Sequence, residues 1–144
     1  MAISIVNTNH FAVSVSDFDR SIEWYERVLG FKLLCRNIIE PISTPVAHLD
    51  SPDSGFMLEI FCPPDSLPVP EDRKMPNTDM RTQGNKHFSL TIEDHEQTLL
   101  ELEELEVPVV FTSLAWGTYC IFIHDPDGNL IELFEGDMRD KANV

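Results

Sequence analysis

Two histidines and two glutamates stand out because each sits where its chemistry is conspicuous and because their places repeat. His10 opens the stretch His10-Phe11-Ala12-Val13-Ser14-Val15-Ser16-Asp17, and His87 opens His87-Phe88-Ser89-Leu90-Thr91-Ile92-Glu93-Asp94. Glu59 lies among Met57, Leu58, Ile60 and Phe61, and Glu132 lies between Ile131 and Leu133. A carboxylate inside an apolar strand is unfavourable unless it is paired or coordinated. Taken singly, a strand histidine is more often a core or surface residue, and a strand glutamate can pair with an arginine or face water. The repetition, His then Glu and again His then Glu, points instead to a divalent cation that offsets the carboxylates and accepts imidazole nitrogens. His10, Glu59, His87 and Glu132 are the expected ligands of one such ion. His48, His95 and His124 have no counterparts in the repeat and fall outside the set.

The elements that must position these residues repeat as well. Both histidine stretches alternate in the period of a half-buried strand. Phe11, Val13 and Val15, or Phe88, Leu90 and Ile92, form the core-facing side. His10, Ala12 and Ser14, or His87, Ser89 and Thr91, form an opposite face of small and polar side chains, as a cavity wall would.

A helix is expected after each strand. In the first copy Ser16 and Asp19 suit a capping box, Phe18, Ile22, Tyr25 and Leu29 recur at helical spacing, and Gly30 suits the C-terminal cap. In the second copy Asp94 can cap a helix running to about Glu106, with Leu99, Leu102 and Leu105 inward and Glu96, Glu101, Glu103 and Glu104 solvated. Pro52-Asp53-Ser54-Gly55 and Pro126-Asp127-Gly128-Asn129 then lead into the glutamate strands, Asp127-Gly128 being a strong hairpin turn signal. Further strands are expected near 31–38, 45–50, 107–111 and 117–124. Each copy thus reads β-α-β-β-β, an α+β fold.

The expected organisation is a single domain over 1–144, with a first module at 5–62, a second at 86–135 and a tail at 136–144. Residues 63–85 hold Pro63, Pro64, Pro68, Pro70 and Pro76 without clean periodicity and read as a linker or a lid. They include Arg73, Lys74 and Arg81, with Lys86 just beyond: four of only ten basic residues. The plain reading is a solvated loop. The alternative is a basic lid closing over an anionic substrate.

Composition narrows the partners. With 144 residues and a 42% hydrophobic fraction, a sizeable core is expected. Ten Lys+Arg against 25 Asp+Glu give a net charge of −15, which disfavours nucleic acid and anionic membranes. No apolar run approaches the roughly 20 residues of a spanning helix. The start, Met1-Ala2-Ile3-Ser4, lacks the basic region of a signal peptide. Cys35, Cys62 and Cys120 are odd in number and form no Cys-x-x-Cys pair, so neither a disulfide framework nor a cysteine-built zinc site is expected. A cytoplasmic setting fits these features.

At these residues the chain resembles the vicinal oxygen chelate superfamily, which includes glyoxalase I, methylmalonyl-CoA epimerase, fosfomycin resistance proteins, bleomycin resistance proteins and extradiol dioxygenases. The resemblance runs from Asn9-His10-Phe11 to Ile131-Glu132-Leu133. It is most specific in Asp19-Arg20-Ser21-Ile22-Glu23-Trp24-Tyr25 through Leu29-Gly30-Phe31, and in Asp125-Pro126-Asp127-Gly128-Asn129. It implies two βαβββ modules forming an open eight-stranded barrel-like cup with a metal at its base, and a homodimer, since single cups in this superfamily commonly pair.

Within the superfamily, a ligand at the place of Glu59 resembles the glyoxalase I and epimerase branch. Phe122 stands where extradiol enzymes carry a tyrosine, and Ala12 where fosfomycin enzymes carry a threonine. The tail Glu135-Gly136-Asp137-Met138-Arg139 resembles the fosfomycin group. Ser14 and Pro63 replace the arginine and asparagine of glyoxalase I, which argues against glutathione.

The expected function is therefore a metal-dependent lyase or isomerase acting on a small molecule. Glu132 and Glu59 are candidates for moving a proton beside a metal-chelated carbonyl, and Zn, Ni, Co, Mn or Fe(II) would suit the donors. The competing readings are an Fe(II) extradiol-type dioxygenase, a fosfomycin-type thiol transferase and a bleomycin-resistance-type binding protein.

Overall fold

The computed structural model describes residues 2–115 and 117–141. The chain divides after Leu67 into two compact units. Unit 1 runs β1 (His10–Ser14), α1 (Phe18–Leu29), β2 (Lys32–Ile39), β3 (Thr44–Ser51) and β4 (Phe56–Phe61). Unit 2 holds a 3-10 turn (Glu71–Arg73), a short helix α2 (Pro76–Asp79), β5 (Phe88–Ile92), α3 (His95–Glu104), β6 (Val109–Ala115), β7 (Thr118–His124), β8 (Leu130–Glu135) and a last 3-10 turn (Met138–Lys141). Each unit is a βαβββ module with one four-stranded mixed sheet, ordered β1-β4-β3-β2 or β5-β8-β7-β6. The first strand of each module lies parallel to its last. Among the described residues no helix is long and apolar enough to cross a membrane.

In unit 1, Val13, Val15, Leu49, Leu58 and Ile60 are buried together with Ile22 and Tyr25 of α1. In unit 2 the corresponding strand face buries Phe88, Ile121, Ile123, Ile131 and Leu133, with Leu102 from α3. The alternation expected of the histidine strands therefore holds, with Val13, Val15 and Phe88 all inside. The cap of α1 is one residue later than expected. Asp17, extended at φ −135°, accepts the Arg20 N–H at 3.0 Å, whereas Ser16 Oγ accepts from the Arg20 guanidinium. With Asp17 in extended backbone at the N-cap, its carboxylate satisfies the free amide directly. Gly30 closes the helix at φ +70°, a left-handed conformation that glycine adopts without a Cβ penalty. Asp94 caps α3 as expected, accepting the Gln97 N–H at 2.8 Å.

Asp127-Gly128 lies in a hairpin connection, but residues 125–129 form a longer loop than a two-residue turn. Asp125 organises it: its buried carboxylate accepts the backbone N–H groups of Asp127 and Asn129 and the Asn129 side-chain amide. The proline-rich segment is more structured than its lack of periodicity suggested. Asp79, 1% exposed, accepts from Arg73 at 2.9 Å and Lys86 at 3.3 Å. Arg73 also reaches the Asn85 carbonyl and Lys86 the Thr82 carbonyl. His124 Nε2 donates to the Lys74 carbonyl at 2.7 Å and ties the same segment to the end of β7. Two of the basic residues of the supposed lid are thus held by an acid of their own segment.

Candidate functional site

Strand register decides which side chains share the face opposite each core. In unit 1, Ala12 pairs with Glu59, Glu59 with His48, and His48 with Cys35. Period-two alternation then puts His10 on the same face. His10 Nε2 lies 3.3 Å from Glu59 Oε2, and His48 Nε2 lies 2.9 Å from Glu59 Oε1. In unit 2, Ser89 pairs with Glu132, Glu132 with Phe122, and Phe122 with Phe111. His87, immediately before β5, places Nε2 3.4 Å from Glu132 Oε2, and its ring meets Phe122 edge-on at 5.2 Å.

Each unit thus pairs one expected histidine with one expected glutamate, His10 with Glu59 and His87 with Glu132. Among the described residues no three His, Cys, Asp or Glu form a ready-made ion site. The chemistry of the pairs nevertheless suits a cation. Asn9 Oδ1 lies 2.6 Å from His10 Nδ1; it can only accept, so Nδ1 carries the hydrogen. A neutral His10 ring then turns its Nε2 lone pair toward a carboxylate oxygen. Two acceptors so placed require a positive charge between them or on the ring. Two donors each about 2.1 Å from one tetrahedral ion lie about 3.4 Å apart. The pair separations, 3.3 and 3.4 Å, fit that spacing.

The surroundings of Glu132 are resolved further. Burial raises its pKa, but hydrogen bonds from His87 and Ser89, the His87 charge and the Cys120 thiol outweigh that and hold the carboxyl below its ordinary value. Cys120 is pushed up to about 11 by burial first, then by the Glu132 charge and hydrogen bond, partly opposed by Ser113. The thiol is therefore kept neutral by the fold. Its contribution to stability is complete below pH about 9 and is lost as pH climbs toward 11. At pH 8, thiol labelling followed by peptide mass mapping should modify exposed Cys35 and leave buried Cys120 untouched until denaturant is added. Equal labelling of both in native protein would contradict this environment.

The face of Glu132 forms a cavity of about 750 Å³ within unit 2, a size that accommodates a small organic molecule. Phe111, Phe122 and Phe134 wall it, and Lys86 and Arg139 are also among its lining residues. Both cations are engaged: Lys86 with Asp79, and Arg139 with Asp137 at 2.5 Å. Met80, from the proline-rich segment, also lines the cavity.

His95 and His124, set aside from the ligand set, have other partners. His95 stacks on Tyr119 with ring centroids 4.3 Å apart, and His124 holds Lys74. His48 is the exception, because it touches Glu59. Its counterpart across the other sheet is Phe122, so a search for residues that recur in both copies passes it over. The signal available was the hairpin register: Ser51 opposite Phe56 across the Pro52–Gly55 turn sets His48 opposite Glu59.

Two mixed sheets of this order, each carrying a His–Glu pair on the face away from its helix, define a recognisable class. The chain belongs to the Glyoxalase/Bleomycin resistance protein/Dioxygenase superfamily, whose model matches residues 7–133. Among its relatives, Glyoxylase I 4 of Arabidopsis thaliana is 27% identical over 138 residues, covering 94% of this chain and 74% of that protein. Metallothiol transferase FosB of Lysinibacillus sphaericus is 26% identical over 145 residues, covering 98% and 90%. A glyoxalase family protein from Enterococcus faecalis shares the fold with a TM-score of 0.75 at 23% identity, covering 90% of this chain and 97% of its own. The two named relatives stand at nearly equal identity, so the reaction must be argued from the site's own residues.

Proposed function

We propose that this protein is a metal-dependent lyase or isomerase that moves a proton beside a carbonyl. His10, Glu59, His87 and Glu132 serve as ligands of a divalent ion, and Glu59 and Glu132 are the candidate proton carriers. The observation that carries this reading is the pairing in each module of a histidine Nε2 with a glutamate oxygen on the sheet face opposite the core. Zinc, nickel, cobalt, manganese or iron(II) would suit two imidazoles and two carboxylates, and when bound would polarise a substrate carbonyl and acidify the neighbouring C–H.

The chain's own residues supply the rest. A glutamate oxygen accepts the α-proton and returns it to the adjacent carbon. Glu132 suits the accepting role because its hydrogen bonds keep it ionised. Phe122, directly across the sheet from Glu132, has no hydroxyl with which to donate or accept a proton. That favours proton transfer over ring-cleaving oxygen chemistry. The phenylalanine walls suit a substrate with an apolar portion.

A second reading, thiol transfer, draws on one specific observation. The tail residues Gly136, Asp137, Met138 and Arg139 line the same cavity, and the named relatives include a metallothiol transferase.

The test is α-proton exchange in deuterated buffer. Metal-loaded protein is offered hemithioacetals, 2-oxo compounds and acyl-CoA esters, with and without glutathione, and separately an epoxide with a thiol and a catechol, and exchange is followed by NMR. Metal-dependent exchange is expected with at least one member of the panel, falling about 100-fold or more in Glu132→Gln. Thiol addition to an epoxide without exchange would favour the second reading. Ring cleavage of a catechol with iron(II) and no exchange would overturn both.

A further inference from the structure

Glu59 and Glu132 occupy matching places in the two modules, yet their surroundings differ. Glu59 lies between two imidazoles, with His10 at Oε2 and His48 at Oε1. The two rings stand edge to face with centroids 6.0 Å apart. On its far side, His48 Nδ1 faces Cys35 Sγ at 3.7 Å. A thiol hydrogen directed at Nδ1 leaves the ring hydrogen on Nε2, where Glu59 accepts it at 2.9 Å. The polar chain thus runs from Cys35 through His48 to Glu59. In the second module the same two positions hold Phe111 and Phe122, and Glu132 takes its hydrogen bonds from Ser89, Cys120 and His87.

We infer that His48 is a positioning residue that orients Glu59: by donating from Nε2 to Oε1 it leaves Oε2 as the single oxygen turned toward His10 and an ion. A free carboxylate rotates and alternates between one- and two-oxygen coordination. A donor fixed on one oxygen removes that freedom and sharpens the geometry of the other. Outer partners of this kind change metal affinity by about 10–100-fold. The inference rests on the reading of Glu59 as a metal ligand and extends it to a residue outside the ligand set. His48 is 27% exposed at its side chain, so replacements there leave the core alone.

Cobalt(II) binding tests it without any substrate. Wild type, His48→Phe and His48→Gln are titrated with cobalt(II) against a competing chelator while the visible ligand-field bands are recorded. Circular dichroism and thermal melts check folding. Phenylalanine reproduces the matching residue of the second module and removes the donor; glutamine keeps an N–H that can reach Glu59. His48→Phe should bind cobalt about 10–100-fold more weakly with unchanged stoichiometry and band shape, and His48→Gln should recover most of the affinity. His48→Ala serves in place of the phenylalanine variant if that one does not fold.

Wild-type affinity in a variant lacking the donor would overturn the positioning role while leaving the metal site standing. Altered bands in both variants would make His48 a ligand itself and also overturn it. Absence of cobalt binding by wild type would bring down the ligand assignment, and this role with it.

Discussion

Replacing His87 with alanine should weaken divalent-metal binding by more than about 100-fold, beyond the range of about 10–100-fold expected for partners that merely support a ligand. His87 presents Nε2 to Glu132 Oε2 at 3.4 Å. Its loss would leave Glu132 without the imidazole that faces it. The effect should appear as metal content after purification without chelator and as affinity in competition titrations. His95→Ala is the matched control, because His95 stacks on Tyr119, while the hydrogen bonds to Glu132 come from His87, Ser89 and Cys120. It should keep full metal content, whatever it loses in stability with the Tyr119 stack. A folded His87→Ala protein with wild-type metal content would refute the ligand assignment.

Tyr25→Ala should destabilise the fold by about 3–5 kcal/mol, the range for truncating a buried aromatic ring. Tyr25 is fully buried on α1 and meets Trp24 and Phe31 edge-on at 5.1 and 6.0 Å. Phe31 in turn meets Phe56 at the start of β4, the strand that carries Glu59. Domains of this kind have only about 5–15 kcal/mol in total, so one such cavity removes a large share. Urea unfolding followed by far-ultraviolet circular dichroism measures the change. A loss below about 1 kcal/mol would mean that the helix does not depend on this ring for its seat on the sheet.

The elements were legible where periodicity was strong. Phe18, Ile22, Tyr25 and Leu29 marked α1, and strands expected near 31–38 and 45–50 fall at Lys32–Ile39 and Thr44–Ser51. The strand expected at 107–111 starts later and runs longer, Val109–Ala115, because Val107 and Pro108 still belong to the approach from α3. Repetition also made the two His–Glu pairs legible, since a glutamate in an apolar strand is rare enough to be noticed twice.

What sequence could not convey was cross-strand adjacency. His48, Ser89 and Cys120 touch the glutamates only through strand pairing; the Pro52–Gly55 hairpin could have fixed the register for His48, but Ser89 meets Glu132 across a parallel pair that no turn defines. Asp79 was hidden for a related reason. One acid among many in an acidic chain carries no mark of burial until Arg73 and Lys86 close over it.

The parallel pairing of the first and last strand of each module has a kinetic consequence. His10 and Glu59 sit on strands that are neighbours in the sheet but far apart in the sequence of the unit, and His87, just before β5, and Glu132 on β8 are separated likewise. Bringing such strands together closes the longest loop the unit contains, and long-range parallel contacts form slowly. The hairpins can form from local chain alone; the His–Glu pair cannot. During refolding, each pair therefore assembles only with the closing contact of its own module, and uptake of an ion would report completed folding rather than the collapse before it.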